Sequence, residues 1–215
     1  MNEIFILDFG SGNTCRNDPA IIDDMIEQLA LVDEKRHCVI KFQLFEHAGD
    51  NVPLDRRAFE YAYNKASEYG FRTTASVFDE ASVRFLLKFD IPFVKFANNT
   101  ATWPLMGFIP RGVPIIISGG NNHIQHVGLE RVKFRPETFL CCVSKYPATV
   151  SDYNDAFPWP YLQDGISDHT TTWDLFRKFK PRVYECHYKL PDSTGLDAGP
   201  FARTPEMIKE ILAEL

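Results

Sequence analysis

Two histidines near the end of the sequence have the residue type and setting of a metal-ligand pair. His169 lies in the run GISDHT (165–170) and His187 in the run RVYECHYKL (182–190), and both runs have the composition of β-strands. If the two runs are neighbouring strands, both imidazoles can reach one divalent cation. Such an ion with open coordination positions acts as a Lewis acid on a carbonyl group. We therefore expect His169 and His187 to be metal ligands.

Two lysines interrupt apolar strand-like runs. Lys41 lies within VIKFQ and Lys95 within FVKFA. A lysine inside such a run is costly to bury unless an anion or a carboxylate meets it. Serine and threonine hydroxyls at the ends of other runs would complete a cradle for phosphate and carboxylate groups. Together, cradle and metal indicate carbonyl chemistry on a phosphorylated substrate.

The elements that must position these side chains are eight β-like segments alternating with helical patterns. The segments are residues 3–9, 37–43, 71–77, 93–97, 114–119, 138–145, 165–170 and 182–190. Helix starts are marked by Asp18-Pro19, by Asp79 and by Thr204-Pro205. This alternation predicts a parallel sheet, and eight units predict an α/β fold, a compact (β/α)8 TIM barrel forming one domain over residues 1–215. A doubly wound open sheet is the alternative.

One parity of each segment carries polar groups near its C-terminal end. In a barrel, one parity points inward and the other packs under the helices. The inward set is Asp8; Lys41 and Gln43; Arg72, Thr74 and Ser76; Lys95; Ser118; Ser144 and Tyr146; Ser167 and His169; and Glu185, His187 and Lys189. Barrel enzymes hold their active sites at this end of the strands, so we expect these groups to converge there.

Composition excludes some functions. The net charge of −6 argues against an extended nucleic-acid surface, because duplex binding needs many lysines and arginines. No apolar run approaches the ~18 residues needed to span a membrane, and MNEIFILDFG lacks the basic region of a signal peptide. We therefore expect a cytoplasmic protein with no nucleic-acid or membrane partner. The five cysteines show no CxxC spacing and are expected to be reduced and structural.

Several short elements resemble, in order, those of one enzyme family. They are Asp8-Phe9-Gly10, Lys41-Phe42-Gln43, the stretch from Ser76 to Lys95, IIISGG with Ser118, CCVSKYPA with Ser144 and Tyr146, GISDHT, YECHYKL, Gly195-Leu196-Asp197 and Thr204-Pro205-Glu206. GISDHT is the most specific of them. In this ordered set the chain resembles the N-acetylneuraminate (sialic acid) synthase family, which condenses phosphoenolpyruvate with an N-acyl amino sugar.

The resemblance implies a role for each matched residue. The implied phosphoenolpyruvate-binding residues are Lys41, Gln43, Ser76, Lys95, Ser118, Ser144 and Ser167. The implied catalytic residues are Asp8, Lys41, Lys95, Tyr146 and Asp197. His169 and His187 would hold a divalent metal, Mn2+ with Mg2+ or Co2+ as alternatives. The implied partners are phosphoenolpyruvate and a sugar aldehyde, and a homodimer is left open.

Three departures from the family pattern bear on the acceptor. Ser11-Gly12-Asn13-Thr14 stands where the family usually carries an Asn-His pair, and Asn98-Asn99-Thr100 stands where it carries an acidic residue. The C-terminal antifreeze-like domain common in the family is expected to be missing. Two other readings therefore remain: a non-catalytic barrel that binds an anionic or phosphorylated ligand, and a metal-dependent aldolase or lyase.

Overall fold

Eight parallel strands close into a barrel in a computed structural model that describes residues 4–47, 49–120 and 138–215. Each strand pairs with the next along the chain, and β8 pairs with β1. The strands are β1 Ile4–Asp8, β2 Cys38–Leu44, β3 Arg72–Val77, β4 Val94–Phe96, β5 Ile115–Gly119, β6 Thr138–Cys142, β7 Gly165–Asp168 and β8 Val183–His187. All eight predicted segments form strands, so the TIM barrel is confirmed and the open sheet was wrong.

Helices surround the barrel. They are α1 Gly12–Cys15, α2 Pro19–Val32, α3 Arg56–Glu68, α4 Glu80–Leu86, α5 Val150–Ala156, α6 Trp159–Asp164, α7 Asp174–Phe179 and α8 Pro205–Leu212, with 3-10 helices at Thr100–Phe108 and Leu196–Ala198. The predicted helix starts are confirmed: the Asp18 side chain accepts from Ala20 N at 2.9 Å and Asp79 Oδ1 accepts from Ser82 N at 2.7 Å, which satisfies amides that a helix start leaves unpaired. No described helix is long and apolar enough to cross a membrane.

The barrel interior has an apolar lower layer and a polar upper layer. The lower layer is a separate hydrophobic cluster of Ile6, Val39, Phe93, Ile116, Leu140 and Val183. The residues two positions later on several of these strands, such as Asp8, Lys41 and Lys95, are the buried polar groups of the upper layer. The apolar lower layer keeps the spacing of the strands fixed, and the polar upper layer lies at the open C-terminal end of the barrel.

Three details of the parity prediction were wrong. Lys189 lies beyond the end of β8, and its Nζ donates to the Ala198 and Gly199 carbonyl oxygens. β6 ends at Cys142, so Ser144 and Tyr146 lie on the loop that follows it, and the inward position at the end of β6 belongs to Cys142. Arg72 is exposed at the N-terminal end of β3, where the strand has not yet entered the core. All five cysteines are free and buried.

Candidate active site

A cavity of about 480 Å³ lies over the polar layer, at the C-terminal ends of the strands. All twelve predicted site residues line it: Asp8, Lys41, Gln43, Ser76, Lys95, Ser118, Ser144, Tyr146, Ser167, His169, His187 and Asp197. These residues are spread over 190 positions of sequence, from Asp8 to Asp197, and only barrel closure brings them together. The predicted convergence is therefore present in the fold, whereas the individual roles stay predictions.

A buried carboxylate joins the two lysines. Glu185 Oε1 lies 3.0 Å from Lys41 Nζ, and its Oε2 lies 3.1 Å from Lys95 Nζ. Lys41 Nζ also donates to Ser76 Oγ at 3.1 Å, and Lys95 Nζ donates to Ser118 Oγ at 2.6 Å. The sequence argument required a carboxylate or anion beside each lysine, and Glu185 supplies one carboxylate for both.

A second carboxylate, Asp8, is fixed by three donors. Its Oδ2 accepts from Lys41 Nζ at 2.6 Å and from Gln43 Nε2 at 3.0 Å, and its Oδ1 accepts from Gly10 N at 2.9 Å. Gln43 Nε2 also donates to Asp197 Oδ1 at 3.0 Å. The same amide thus ties the end of β1 to the 3-10 helix that carries Asp197.

Glycine is required where the chain leaves β1. Gly10 has a φ of +76°, in the left-handed region that favours glycine. A Cβ there would lie closest to Thr14 Oγ1 and would be 2.9 Å from Asp197 Oδ2. The absent side chain is what lets the loop bearing Asp197 close over the end of β1.

The charges in the polar layer are strongly coupled. Burial disfavours the charge on Glu185, but Lys41 and Lys95 outweigh it and hold the pKa of Glu185 far below its usual range. Burial likewise opposes the charge on Lys41, and the Asp8 and Glu185 carboxylates overcome it and raise its pKa. The pKa of Lys95 is lowered because burial outweighs its single carboxylate partner, Glu185. Both carboxylates bound to Lys41 stay ionised, since the pKa of Asp8 is also lowered by Lys41 and His187 against the effect of burial.

The two histidine rings lie side by side above this layer, with centroids 5.5 Å apart. His169 Nδ1 is 2.8 Å from the Val143 carbonyl oxygen, which can only accept, so Nδ1 carries the proton and Nε2 is the nitrogen left for a ligand. Burial and the neighbouring His187 lower the pKa of His169 to about 3, which keeps the ring neutral. A neutral imidazole whose other nitrogen donates to a carbonyl is the usual state of a metal-bound histidine.

His187 differs from His169 in the bonding of its Nδ1. Its Nδ1 is buried and makes no hydrogen bond to any described residue, although Asp197 Oδ1 lies 3.4 Å away and Asp8 Oδ2 4.0 Å away. Burial and the Asp8 charge outweigh His187 and raise the pKa of Asp197. Two neighbouring imidazoles are ligands that suit a divalent ion with open positions, so His169 and His187 fit such a metal as a pair. In the described ranges, no three His, Cys, Asp or Glu side chains form a complete ligand set.

Several residues that line the cavity were given no role from the sequence. Glu185 was placed on the inward parity without a role, although the two buried lysines signalled that a carboxylate had to face them. Cys142 was interpreted as structural only, and its thiol lines the cavity with a pKa raised to about 11 by burial. Asn98 donates from Nδ2 to Ser144 Oγ at 3.0 Å, which holds the displaced Ser144 at the rim. Leu196, which lies within the quoted element Gly195-Leu196-Asp197 but was given no role, and Phe201, which no local pattern marks, also line the cavity.

Comparison with known structures shows the same barrel in three solved proteins. The N-acetylneuraminic acid (sialic acid) synthetase of Leptospira borgpetersenii serovar Hardjo-bovis, in complex with citrate, is 20% identical with a TM-score of 0.79, covering 100% of this chain and 82% of that chain. A protein named as spore coat polysaccharide biosynthesis protein E from Chromobacterium violaceum is 19% identical with a TM-score of 0.76, covering 98% and 73%. A truncated 3-deoxy-D-arabino-heptulosonate 7-phosphate synthase from Thermotoga maritima is 11% identical with a TM-score of 0.60, covering 99% and 85%. At these identities the likeness establishes the fold.

The family is established by sequence. No curated protein matches the chain. The model of the NeuB family matches residues 33–175, which is about two thirds of the sequence and includes both lysines and GISDHT. Together with the barrel and the ordered elements that resemble N-acetylneuraminate synthases, this match shows that the chain belongs to the NeuB family.

Proposed function

We propose that this chain is a metal-dependent synthase that condenses phosphoenolpyruvate with an N-acyl amino sugar resembling N-acetylmannosamine, or with a related aldose. The product would be a 2-keto-3-deoxy sugar acid such as N-acetylneuraminate, with release of phosphate. The observation that carries the proposal is one cavity, in a NeuB-family barrel, that is lined by two buried lysines and by two neighbouring histidines. Membership of the family supports a synthase of the phosphoenolpyruvate-condensing type.

Lys41 and Lys95 of the polar layer would hold phosphoenolpyruvate. Lys41 and Lys95 with the hydroxyls of Ser76 and Ser118 form the floor, and Ser167 adds a third hydroxyl to the lining. Charge-assisted hydrogen bonds from ammonium groups to phosphate and carboxylate are stronger than neutral ones, particularly in a buried site. The floor would therefore fix the enolpyruvate carbon skeleton for attack on the acceptor.

Charge balance supports a cation in the same cavity. Three acidic residues (Asp8, Glu185 and Asp197) line the cavity, and Asp8 and Glu185 are already paired with the two lysines before any substrate binds. An incoming phosphate ester with its own carboxylate adds further negative charge to a buried site, which is costly without a counterion or proton uptake. His169 and His187 would hold a divalent ion, Mn2+ with Mg2+ or Co2+ as alternatives, which would supply that charge and act as a Lewis acid on the acceptor aldehyde.

The carboxylates would manage the protons. The methylene carbon of phosphoenolpyruvate forms a bond to the aldehyde carbon, whose oxygen takes a proton, and water adds to the enol carbon before phosphate leaves. Asp197, whose pKa is raised by burial and by Asp8, is suited to deliver the proton. Asp8 stays ionised and is suited to accept the proton of the attacking water. The Tyr146 ring, 4.2 Å from the His169 ring, would form the wall that orients the acceptor.

The proposal places the enzyme in the cytoplasm, where its five free, buried cysteines remain reduced.

The test is phosphate release from phosphoenolpyruvate with Mn2+ across a panel of N-acyl hexosamines and aldoses, with EDTA as control. We expect release that depends on an acceptor, is abolished by EDTA and is lost in Lys95→Met. Lys178→Met, which removes an exposed lysine bonded to Asn154, is the matched control and should retain full activity.

Two outcomes would contradict the proposal. Phosphoenolpyruvate binding without release, for every acceptor, would favour a binding module. Metal-dependent cleavage of a 2-keto acid without phosphoenolpyruvate turnover would favour an aldolase or lyase.

A further inference from the structure

A buried ion pair lies behind the histidine site. On β7, Ser167 and the following His169 face the cavity, whereas Asp168 points the opposite way and is fully buried. Its Oδ2 accepts from Arg203 Nη2 at 3.1 Å and from the Tyr184 hydroxyl, and its Oδ1 accepts from Thr170 N at 2.6 Å. Arg203 is itself fully buried, which is rare for this residue type.

The Arg203 side chain binds the loop that follows β7. Its Nη1 donates to Thr170 O at 2.7 Å, and its Nη2 donates to Thr172 O at 2.6 Å. The guanidinium also lies over the Trp173 ring, with Cζ 4.7 Å from the centroid. A planar guanidinium with several fixed donors can hold these acceptors at once, which a lysine cannot. Arg203 therefore holds the residues that follow His169, whereas His169 N donates to the Tyr153 hydroxyl and His169 O accepts from Ala148 N.

The Arg203 main chain binds the strand that carries the other histidine. Arg203 N donates to His187 O at 2.7 Å, and Arg203 O accepts from Lys189 N at 2.9 Å, so that residue 203 is laid against the end of β8. One residue thus contacts the His169 loop through its side chain and the His187 strand through its backbone.

Arg203 also holds the backbone of Phe201, whose ring packs beside both histidines. Its Nη1 donates to Phe201 O at 3.0 Å. The Phe201 ring packs with its centroid 5.0 Å from the His187 ring, 5.1 Å from the Tyr146 ring and 6.3 Å from the His169 ring. The backbone that presents this ring is therefore held by the same guanidinium.

We infer that Arg203, through its ion pair with Asp168, is a positioning residue that sets the separation and orientation of His169 and His187. A buried ion pair is weak evidence for stability, because apolar residues of similar volume often replace one without loss. Its contacts here lead to the loop after His169, to the His187 carbonyl and to the backbone of Phe201. The inference rests on the proposed function in that it treats the histidines as a ligand pair.

The test compares two variants with a control. Arg203→Lys keeps the positive charge but lacks the several fixed N–H donors of the guanidinium. Asp168→Asn/Arg203→Met removes both charges and so leaves no unpaired ion in the core. Val39→Ala, in the apolar layer at the opposite end of the barrel, is the control for a general loss of stability. Circular dichroism and thermal unfolding establish that each variant is folded at the assay temperature; if the double variant is not, Arg203→Lys carries the comparison.

Three readouts separate positioning from folding. Nitrogen NMR of the His169 ring should show the Nδ1-protonated form in the wild type and a mixture of tautomers in both Arg203 variants. Affinity for Mn2+ alone, by electron paramagnetic resonance, should fall by about tenfold to a hundredfold, as expected for a residue that orients a ligand. In the turnover assay kcat should fall by a similar factor, while KM for phosphoenolpyruvate stays within about twofold because the lysine floor is untouched. Val39→Ala should change none of the three.

Folded variants that keep the wild-type histidine spectrum and Mn2+ affinity would overturn the inference. A wild-type protein that binds no Mn2+ and releases no phosphate would count against the proposed function. In that case the histidine spectra of the variants would still test the role of Arg203 on their own.

Discussion

Lys41 Nζ lies 3.0 Å from Glu185 Oε1, and both groups are almost completely buried. The other oxygen of the same carboxylate contacts Lys95. Glu185 therefore links the two lysines at the bottom of the cavity, and neither lysine is an independent charge. An anionic substrate must bind to lysines that are already partnered. Its affinity therefore depends on what else in the site balances the charge.

Removing the charge of Glu185 should expose this dependence. Glu185→Gln leaves Lys95 without a carboxylate partner, so we expect the free energy of unfolding to fall by about 3 kcal/mol, as for other broken buried pairs. Urea denaturation measures the change. Adding Lys95→Met to the same chain should recover part of the loss, because the unpaired ammonium is then gone. Equal stability of Glu185→Gln and wild type would show that the bridge contributes nothing to the fold.

His169 should make the protein less stable in mild acid. Its pKa is about 3 in the folded chain against 6.5 in the unfolded chain, so below pH 6.5 the unfolded state binds a proton that the folded state does not. Stability from this group is therefore complete above pH 6.5 and is lost as the pH falls, by about 1.4 kcal/mol per pH unit. Urea titrations of wild type and His169→Gln between pH 7.5 and 4.5 measure the difference in slope. Parallel slopes for the two proteins would contradict the burial of a neutral imidazole.

Loss of His187 should remove the response to metal while leaving the fold intact. Excess Mn2+, at about 100 times its dissociation constant, should stabilise the wild type by about 2.7 kcal/mol through mass action. In His187→Ala this stabilisation and the EDTA-sensitive turnover should both disappear, while the circular dichroism spectrum is unchanged. Full activity in the variant would exclude His187 as a ligand.

Gly10 provides a test of loop closure with a matched control. Gly10→Ala and Gly112→Ala both place a side chain at positive φ, +76° and +96°, and each should lose about 1 kcal/mol or more of stability. Only at Gly10 would the new Cβ meet the Asp197 carboxylate, since nothing lies within 4 Å of the corresponding position at Gly112. We therefore expect kcat to fall in Gly10→Ala and to be unchanged in Gly112→Ala. Equal activity of the two variants would mean that the Asp197 loop tolerates displacement.

The sequence predicted the barrel because the period of each strand is visible locally. Lys41 in VIKFQ and Lys95 in FVKFA could be placed on the inner face from parity alone, and GISDHT with YECHYKL located both histidines. The end of β6 was misplaced because CCVSK continues a branched, apolar pattern, and only the turn toward Tyr146 stops the strand at Cys142.

Other features depend on contacts between distant segments. That Glu185 meets both lysines follows from the barrel stagger, which brings β2, β4 and β8 to one height in the interior. Arg203 follows the last strand in a stretch, FARTP, that has no strand or helix period, and its partner Asp168 is 35 positions away. A buried pair of this kind can be recognised only when the structure shows the end of β7 in contact with the segment after β8.

The central claim is that a carbon–carbon bond forms between phosphoenolpyruvate and an aldehyde in this cavity. The most direct measurement uses phosphoenolpyruvate labelled with 13C at its methylene carbon and an acceptor labelled at its aldehyde carbon, followed by 13C NMR with Mn2+ present. We predict a product in which the two labels show a one-bond coupling, that is absent with EDTA and absent in Lys95→Met. Phosphate release that yields only labelled pyruvate, with no coupled signal for any acceptor, would contradict the account.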